Sequence, residues 1–270
     1  LCEYLARQGW RVIVIATLPQ DKGHGASIDW FTASTSEVYS LPRFLEPEEQ
    51  TDFVAYLLAS RRVDCLLNTG SRLVYELLPS LLKGNPNLSV VDFLFNTVGH
   101  VESHLEFKEF VSFAIAENQE VFDWYMNVAR WPVERLAIVS SGVNLKRLSP
   151  GPRPEPLIEK YRIEAADLVI GFSGRFSEEK GPDVFLEVAN LCRECKNVVF
   201  VMTGAGPLTE SISKKVQALP ATVRFEFAGL VDDVDQYLGL YDVLILPSRF
   251  DGRPLVVMEA LACGVPVIAS

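Results

Sequence analysis

The second half of the chain alternates short apolar runs with helix-like stretches, and this alternation constrains the fold more than any other feature. The apolar runs have the length and composition of buried strands and lie at 167–174, 197–204, 222–229, 242–247 and 265–269. Helical patterns separate them at 182–195, 207–219, 232–241 and 254–263. Such an alternation predicts βαβ units, which build a parallel sheet covered by helices on both faces. Ligands of such a sheet bind at the carboxyl ends of its strands.

The first half shows the same alternation less clearly. Its strand-like runs lie at 11–17, 63–68, 89–96, 109–116 and 135–142. A helical pattern at 46–62 separates the first two runs, and the stretch SPGPRPEP at 149–156 is typical of a linker. We therefore predict two α/β domains, an N-terminal one over 1–150 and a C-terminal one over 151–270.

Both ends of the sequence differ from a complete domain of this kind. Residues 1–9, LCEYLARQG, predict a helix, whereas an α/β domain normally begins with a strand. The last residues, VPVIAS, stop where a strand should continue into its ligand-binding loop. We expect the first strand of the N-terminal domain and the C-terminal part of the second domain to be missing from this sequence.

Composition excludes several classes of protein. The net charge is −10 and neither half is basic, which argues against binding to nucleic acid. Charged or turn residues interrupt every apolar run before it reaches the length of a membrane span. The five cysteines accompany no export signal, so we expect reduced thiols; Cys192 and Cys195 form a CxxC pair, but near a helix end, where a redox role is disfavoured. We expect a cytoplasmic protein with at most peripheral membrane contact.

A glycine-rich stretch after the strand at 167–174 carries two cations. In GFSGRFSEEKGPD, Gly174 precedes Arg175, Lys180 and a helix that opens at Pro182. Glycine permits close approach of a ligand to the backbone, and Arg and Lys can hold phosphate oxygens. The stretch is a candidate diphosphate clamp, although a solvated turn with surface charges explains it equally well and the P-loop spacing is absent.

Two carboxylates flank the start of the last helical pattern. Asp251 lies in the loop after the strand at 242–247, and Glu259 lies one to two turns inside the helix that begins near Pro254. A helix N-terminus attracts phosphate, and a carboxylate suits a sugar diol because it accepts two hydrogen bonds. The alternative interpretation is that Asp251 is a helix N-terminal residue and Glu259 is a surface charge. However, the apolar run VVMEALA predicts that Glu259 is partly buried.

Two further features carry weaker signals. TGAGPL (203–208) is a glycine turn after a strand, but Thr209 stands where a dinucleotide fingerprint has its third glycine. Asp232, Asp233 and Asp235 fit the acidic first turn of a helix better than a metal site.

Four stretches, in their order and spacing, resemble the group 1 domain of family-4 glycosyltransferases, which have the GT-B fold. They are VSSGVNLKRLSP (139–150), GRFSEEKG (174–181), VMTGAGPL (201–208) and the long run from Phe227 to Ser270. The resemblance is strong over 137–270 and vague before it. It implies two Rossmann-like parallel-sheet domains facing a cleft. It also implies a retaining hexosyltransferase that moves a sugar from a nucleotide-diphosphate donor to a hydroxyl of a glycan, lipid-linked sugar or small molecule.

The resemblance also implies roles for individual residues. Arg175 and Lys180 would bind the donor diphosphate, Asp251 would lie near the transferred sugar, and Glu259 would bind the ribose hydroxyls. The remaining donor-binding candidates share the loops around them: Gly174, Gly206, Gly252, Arg253 and Leu255. A histidine that follows an N-domain strand, near the reacting sugar in the family, corresponds to His100, for which a surface or capping role is an equally good interpretation.

Bond cleavage between sugar and phosphate develops positive charge on the sugar and negative charge on the diphosphate. Arg175, Lys180 and helix N–H groups can stabilise that anion, so we expect no metal and no other cofactor. The sequence departs from the family at Asp251, where Glu is usual. A shift of about 1 Å in a positioned group can cost on the order of 100-fold in rate.

Two other functions remain open from the sequence. A nucleotide-sugar epimerase of similar fold would release free sugar without an acceptor. A non-catalytic module that binds nucleotide sugars would explain the altered acid at 251, but it has no need for Arg175, Lys180 and Glu259 together.

Overall fold

The computed structural model describes residues 1–19 and 28–270, which divide into two compact units. Residues 1–19 and 28–140 belong to the first unit and residues 141–270 to the second. The division follows Ser140, whereas the sequence placed the domain boundary at 150. Residues 141–150 join the second unit because Arg147 forms an ion pair with Asp235 of that unit at 2.6 Å, and Pro150 lies against Gly264.

The first unit is built from parallel strands and the helices that connect them. Its α-helices are α1 (Cys2–Arg7), α2 (Pro47–Arg61), α3 (Arg72–Gly84), α4 (Val101–Phe107) and α5 (Gln119–Trp124). Strands β1 (Val14–Ala16) and β2 (Val38–Ser40) pair with each other. Four further strands form a parallel sheet in chain order: β3 (Cys65–Asn68), β4 (Ser89–Leu94), β5 (Phe113–Ala116) and β6 (Leu136–Ile138).

Two elements of the first unit differ from the prediction. Strand β2 was not predicted, because three residues are too short to display a period of two. The strand predicted over 109–116 begins only at Phe113, since Lys108–Phe110 forms a 3₁₀ turn after α4. Phe110 at the end of that turn and Val111 just after it pack on the core of the unit, so their apolar character reflects burial at a helical turn. Element boundaries are therefore less well encoded than element types.

The second unit contains the alternation that the sequence predicted. Its strands are β7 (Leu168–Ser173), β8 (Val198–Thr203), β9 (Arg224–Gly229), β10 (Val243–Leu246) and β11 (Val267–Ala269). Its α-helices are α6 (Glu155–Tyr161), α7 (Pro182–Leu191), α8 (Thr209–Gln217), α9 (Val234–Leu240) and α10 (Leu255–Ala262). All neighbouring strands are parallel, as expected for βαβ units.

Side chains of alternate strand residues fill two separate cores on the two faces of this sheet. Val169 and Val201 pack with buried residues of α6, α9 and α10. Phe172 and Met202 pack on the other face with buried residues of α7 and α8. This double cover confirms the predicted α/β class, because continuous apolar strands are buried on both faces.

The order of the strands places a switch point in the second sheet. Across the sheet the order is β11-β10-β7-β8-β9, so the chain starts in the middle, proceeds to one edge, and returns to build the other half. This is the doubly wound Rossmann order, in which ligands bind outside the carboxyl ends of the two central strands. Here those strands are β7 and β10.

Candidate active site

The predicted donor-binding residues lie in loops that leave the carboxyl ends of three neighbouring strands. Arg175 and Lys180 follow β7, Gly206 follows β8, and Asp251 follows β10. Because β7 and β10 are hydrogen-bonded neighbours, the loops that follow them begin side by side at the switch point. Residues far apart in sequence are thus brought to one edge of the sheet.

The two central loops meet through an ion pair between Lys180 and Asp251. The ammonium group of Lys180 contacts Oδ2 of Asp251, and the two side chains keep only 23% and 15% of their exposed area. The sequence proposed both residues as site residues but did not predict a contact between them. The contact joins the residue proposed to bind the diphosphate, Lys180, to the residue proposed to bind the sugar, Asp251.

Arg249, which the sequence did not identify, anchors the loop of Asp251 to the loop of Lys180. Its backbone N–H donates to the Glu179 carbonyl at 2.7 Å. Its guanidinium donates to both carboxylate oxygens of Asp183, at 2.9 and 2.7 Å, and these hydrogen bonds lower the pKa of Asp183. No local spacing could have revealed this pair, because its members are 66 residues apart.

Gly181 permits the close approach of these two loops. Its φ of +64° lies in the left-handed region, and a Cβ there would stand 2.1 Å from the carbonyl oxygen of Pro247. Any other residue at 181 would push the end of β10 away from the start of α7. The glycine in "EEKGP" therefore serves the packing of the site.

Arg175 presents an exposed guanidinium beside Glu179. The pKa of Glu179 is lowered mainly by a hydrogen bond from Ser177, with further contributions from the charges of Arg175 and Lys180. The Arg175 side chain makes no hydrogen bond or ion pair with any other residue that the structure describes. Its cation is therefore available to an anionic ligand.

The backbone N–H groups of the two candidate glycines are hydrogen-bonded within the second unit. The N–H of Gly174 donates to the Thr203 carbonyl at 3.1 Å, and that of Gly206 donates to Oγ1 of Thr209 at 2.8 Å. Thr209, the residue that breaks the dinucleotide fingerprint, thus caps the turn internally.

Helix α10 starts beside the loop of Asp251. Pro254 occupies its N-cap position, so Asp251 lies before the cap and is not a helix N-terminal residue. The first N–H groups of any helix lack intrahelical partners, and those from the exposed Leu255 onward stand at this junction. The preceding Arg253 lies against its own helix, with a guanidinium contact to the Met258 sulfur at 3.4 Å, and follows Gly252 in the loop.

Glu259 lies half-buried on α10 and is not a simple surface charge. Burial raises the pKa of its carboxyl, while the nearby charge of Arg147 acts in the opposite direction. Arg147 itself pairs with Asp235 of α9, in the first turn where the sequence placed an acidic residue. The Glu259 carboxyl on α10 thus lies within the electrostatic influence of the Arg147 cation.

His100 belongs to the first unit, where it occupies the N-cap position of α4. Its ring is exposed and packs on Gly70, in the turn between β3 and α3. The residue therefore lies at the carboxyl ends of β3 and β4, the corresponding edge of the first sheet. A structural cap is not supported, since its side chain makes no capping hydrogen bond.

A buried polar cluster in the first unit was not predicted. Asp92 on β4 accepts hydrogen bonds from the Tyr75 hydroxyl, 2.7 Å to each oxygen, and lies 2.6 Å from Nδ1 of His104. All three side chains are inaccessible to solvent, and burial together with the Asp92 charge raises the pKa of Tyr75. The acid inside the apolar run SVVDFLFN was the visible signal. The cluster ties α3 and α4 to β4.

Potential metal ligands do not cluster: within residues 1–19 and 28–270, no group of three or more His, Cys, Asp or Glu side chains is arranged to hold a metal ion. Of the three acids predicted for the first turn of a helix, only Asp235 lies in the first turn of α9; Asp233 is its N-cap and Asp232 precedes the cap.

Known proteins resemble both the sequence and the fold. Residues 155–270 match the family model of glycosyl transferases group 1. The UDP-Gal:alpha-D-GlcNAc-diphosphoundecaprenol alpha-1,3-galactosyltransferase of Escherichia coli is 29% identical over 141 residues, which cover 50% of this chain and 36% of that protein. The GDP-mannose-dependent alpha-(1-6)-phosphatidylinositol dimannoside mannosyltransferase of Mycobacterium tuberculosis is 27% identical over 174 residues, covering 61% and 44%.

The fold has a close counterpart among solved structures. HepE of Anabaena, crystallised with UDP and glucose, superposes with a TM-score of 0.77 at 15% identity, over 99% of this chain and 75% of that one. The matched part of the chain spans less than half the length of either curated relative. Residues 155–270 thus match the group 1 glycosyl transferases in sequence, and the chain shares the GT-B fold of its structural neighbours.

Proposed function

We propose that this protein is a retaining hexosyltransferase that moves a sugar from a nucleotide-diphosphate donor to a hydroxyl acceptor. The observation that carries the proposal is the meeting of Lys180, Asp251 and the start of α10 at the switch point of the second sheet. Relatives that use UDP-galactose and GDP-mannose, and HepE structures that hold UDP and UDP-glucose, support a donor of this class.

The chemistry follows from the charges that develop in the reaction. The bond between the anomeric carbon and the diphosphate oxygen breaks, and a bond from that carbon to the acceptor oxygen forms. The proton of the acceptor hydroxyl passes to the leaving diphosphate. Arg175, Lys180 and the first N–H groups of α10 stabilise the leaving diphosphate. Glu259 accepts hydrogen bonds from the ribose, and Asp251 orients the sugar. His100 is proposed as a further catalytic residue.

The cations of the protein take the role that a metal ion has in other transferases. Two side-chain cations and a helix N-terminus supply positive charge where negative charge develops, so the proposed reaction requires no divalent ion. Activity that persists in EDTA would support this part of the proposal, and activity restored only by Mg²⁺ or Mn²⁺ would overturn it.

The acceptor is proposed to be a glycan or a lipid-linked sugar. The names of both curated relatives contain a lipid, undecaprenol in one and phosphatidylinositol in the other. No helix in the described residues combines the length and apolarity that crossing a bilayer requires. We propose a cytoplasmic protein that meets a lipid-linked acceptor by peripheral contact, without binding nucleic acid.

A thermal-shift panel on the full chain tests the donor site. UDP, GDP, ADP and TDP, each free and as a sugar conjugate, are screened for a rise in Tm. The variant Lys180→Met should weaken binding of the best ligand by about 10- to 100-fold, since a charge-assisted contact to phosphate is lost. Lys214→Met is the matched control, because Lys214 also pairs with an acid but lies exposed on α8.

Product analysis then separates the candidate activities. Transfer of the sugar with retained anomeric configuration supports the proposal. Release of free sugar that does not depend on any acceptor indicates the epimerase, and tight binding without turnover indicates a non-catalytic module. If Lys180→Met and Lys214→Met bind the donor as well as the wild type does, the donor site lies elsewhere.

A further inference from the structure

The ion pair between Lys180 and Asp251 has a consequence for ligand binding. A lysine that already contacts a carboxylate is not free to receive a diphosphate, and the carboxylate repels that anion. Both side chains are largely buried. Solvent therefore screens this repulsion less than it would at an exposed site. Donor binding therefore has to separate the pair or act against it.

The pair is built into the fold and is not an accident of two long side chains. The backbone of Arg249, two residues before Asp251, is hydrogen-bonded to Glu179, the residue before Lys180, at 2.7 Å. The bidentate contact from Arg249 to Asp183 holds the other side of the Lys180 turn. These anchors leave the carboxylate of Asp251 facing Lys180.

The short side chain at 251 fits this arrangement. Aspartate keeps its carboxylate close to the anchored backbone, whereas the glutamate expected from the family resemblance would carry it one methylene further out. Arg175 has no such partner among the described residues, so only one of the two cations is held by an acid.

We propose that Asp251 takes the place of the diphosphate on Lys180 whenever the donor site is empty. This inference rests on the proposed function of the site. On donor binding the diphosphate displaces Asp251 from Lys180, and the released carboxylate turns to the hydroxyls of the donor sugar. After transfer the sugar is gone, so nothing holds the carboxylate away from Lys180. Its return expels the nucleoside diphosphate and resets the site.

Calorimetric titration with a nucleoside diphosphate that lacks a sugar tests this proposal. The probe is whichever of UDP, GDP, ADP and TDP binds the wild-type chain best. Asp251→Asn should bind it about tenfold more tightly than the wild type, because the competing anion is removed while the side-chain shape is kept. Asp251→Ala should show the same gain, and a Tm near that of the wild type shows that each variant is folded.

Two controls isolate Lys180 as the reason for the gain. Asp183→Asn removes the acid that pairs with Arg249 but leaves the partner of Lys180 in place. This variant should not bind the nucleoside diphosphate more tightly than the wild type does. In a Lys180→Met background, Asp251→Asn should give a smaller gain than in the wild-type background, because the repulsion of the diphosphate remains but no ion pair has to be broken.

The outcomes distinguish this inference from the proposed function. Binding to Asp251→Asn that is equal to or weaker than wild-type binding overturns the inference and leaves the donor site intact. An equal gain in the Lys180→Met background also overturns it. If no nucleoside diphosphate binds the wild type or Asp251→Asn at millimolar concentration, the donor site itself is wrong, and the inference falls with it.

Discussion

At the scale of single residues, Glu259 keeps a carboxylate in a place that disfavours its charge. Burial raises its pKa, and the opposing charge of Arg147 does not reverse the shift. A raised carboxyl pKa means that the ionised form is less stable in the folded protein than in the unfolded chain. Such a residue lowers the stability of the fold at neutral pH, which is a common property of ligand-binding positions.

We predict that Glu259→Gln raises Tm at neutral pH. The advantage should shrink as pH falls through the raised folded pKa and vanish below the unfolded pKa of about 4.3, where both states of the wild type are protonated. Melting curves of both proteins between pH 4 and 8 measure this difference. Glu210→Gln, on an exposed side chain of α8, is the control and should change Tm little. A lower Tm of Glu259→Gln at neutral pH would mean that Arg147 outweighs burial.

At the scale of elements, the turn between β3 and α3 shapes the surroundings of His100. Gly70 has a φ of +86°, and a Cβ there would lie 2.5 Å from Cδ2 of the His100 ring. Gly9, after α1, has a φ of +84° but no atom within 4 Å of such a Cβ. The two glycines therefore share the same backbone conformation and differ in whether the histidine ring lies against them.

We predict that Gly70→Ala and Gly9→Ala lose similar stability, about 1–2 kcal/mol for an Ala in the left-handed region. Only Gly70→Ala should displace the exposed His100 ring, shift its NMR resonances and reduce turnover to the level of His100→Ala. In a His100→Ala background, Gly70→Ala should cause no further loss of turnover. With three histidines in the chain, the ring signals can be assigned by substitution. Unchanged ring resonances in Gly70→Ala would contradict the prediction.

At the scale of the whole molecule, each unit has a core of its own. The buried residues of the first core all lie between Leu41 and Leu136, and those of the other two cores lie between Leu157 and Val265. A unit with its own core can fold as a separate domain. The segment before α6 adds the Arg147 ion pair and the contact of Pro150 with Gly264 to the second unit.

We predict that the fragment 141–270 unfolds cooperatively in urea. The fragment 151–270, which starts at the boundary suggested by the sequence, should be less stable by about 1 kcal/mol or more, because it lacks the ion pair and the proline contact. Arg147→Ala in the longer fragment is the control and should account for part of the difference. Equal stability of the two fragments would return the boundary to 150, and a non-cooperative transition of 141–270 would refute its independence.

Local patterns were sufficient to predict the class of the fold and most of its elements. The period of apolar residues depends on neighbours a few positions away, so the strands and helices of the second unit were predictable. The prediction was wrong where the apolar pattern was too short, at β2, and where a helical turn had the same pattern as a strand, at Lys108–Phe110. The candidate residues Arg175, Lys180 and Asp251 could be named because each follows a recognisable strand.

Local patterns thus identify an alternating α/β chain with cations and acids after particular strands. Which of these side chains come into contact depends on how the strands are ordered in the sheet. Lys180 and Asp251 are 71 residues apart, and the partners of Arg249 and Asp92 are equally invisible to local patterns. The reason is physical: the meeting depends on β10 returning to pair with β7. That strand order is set by the packing of helices on both faces of the sheet, not by any short stretch of the chain.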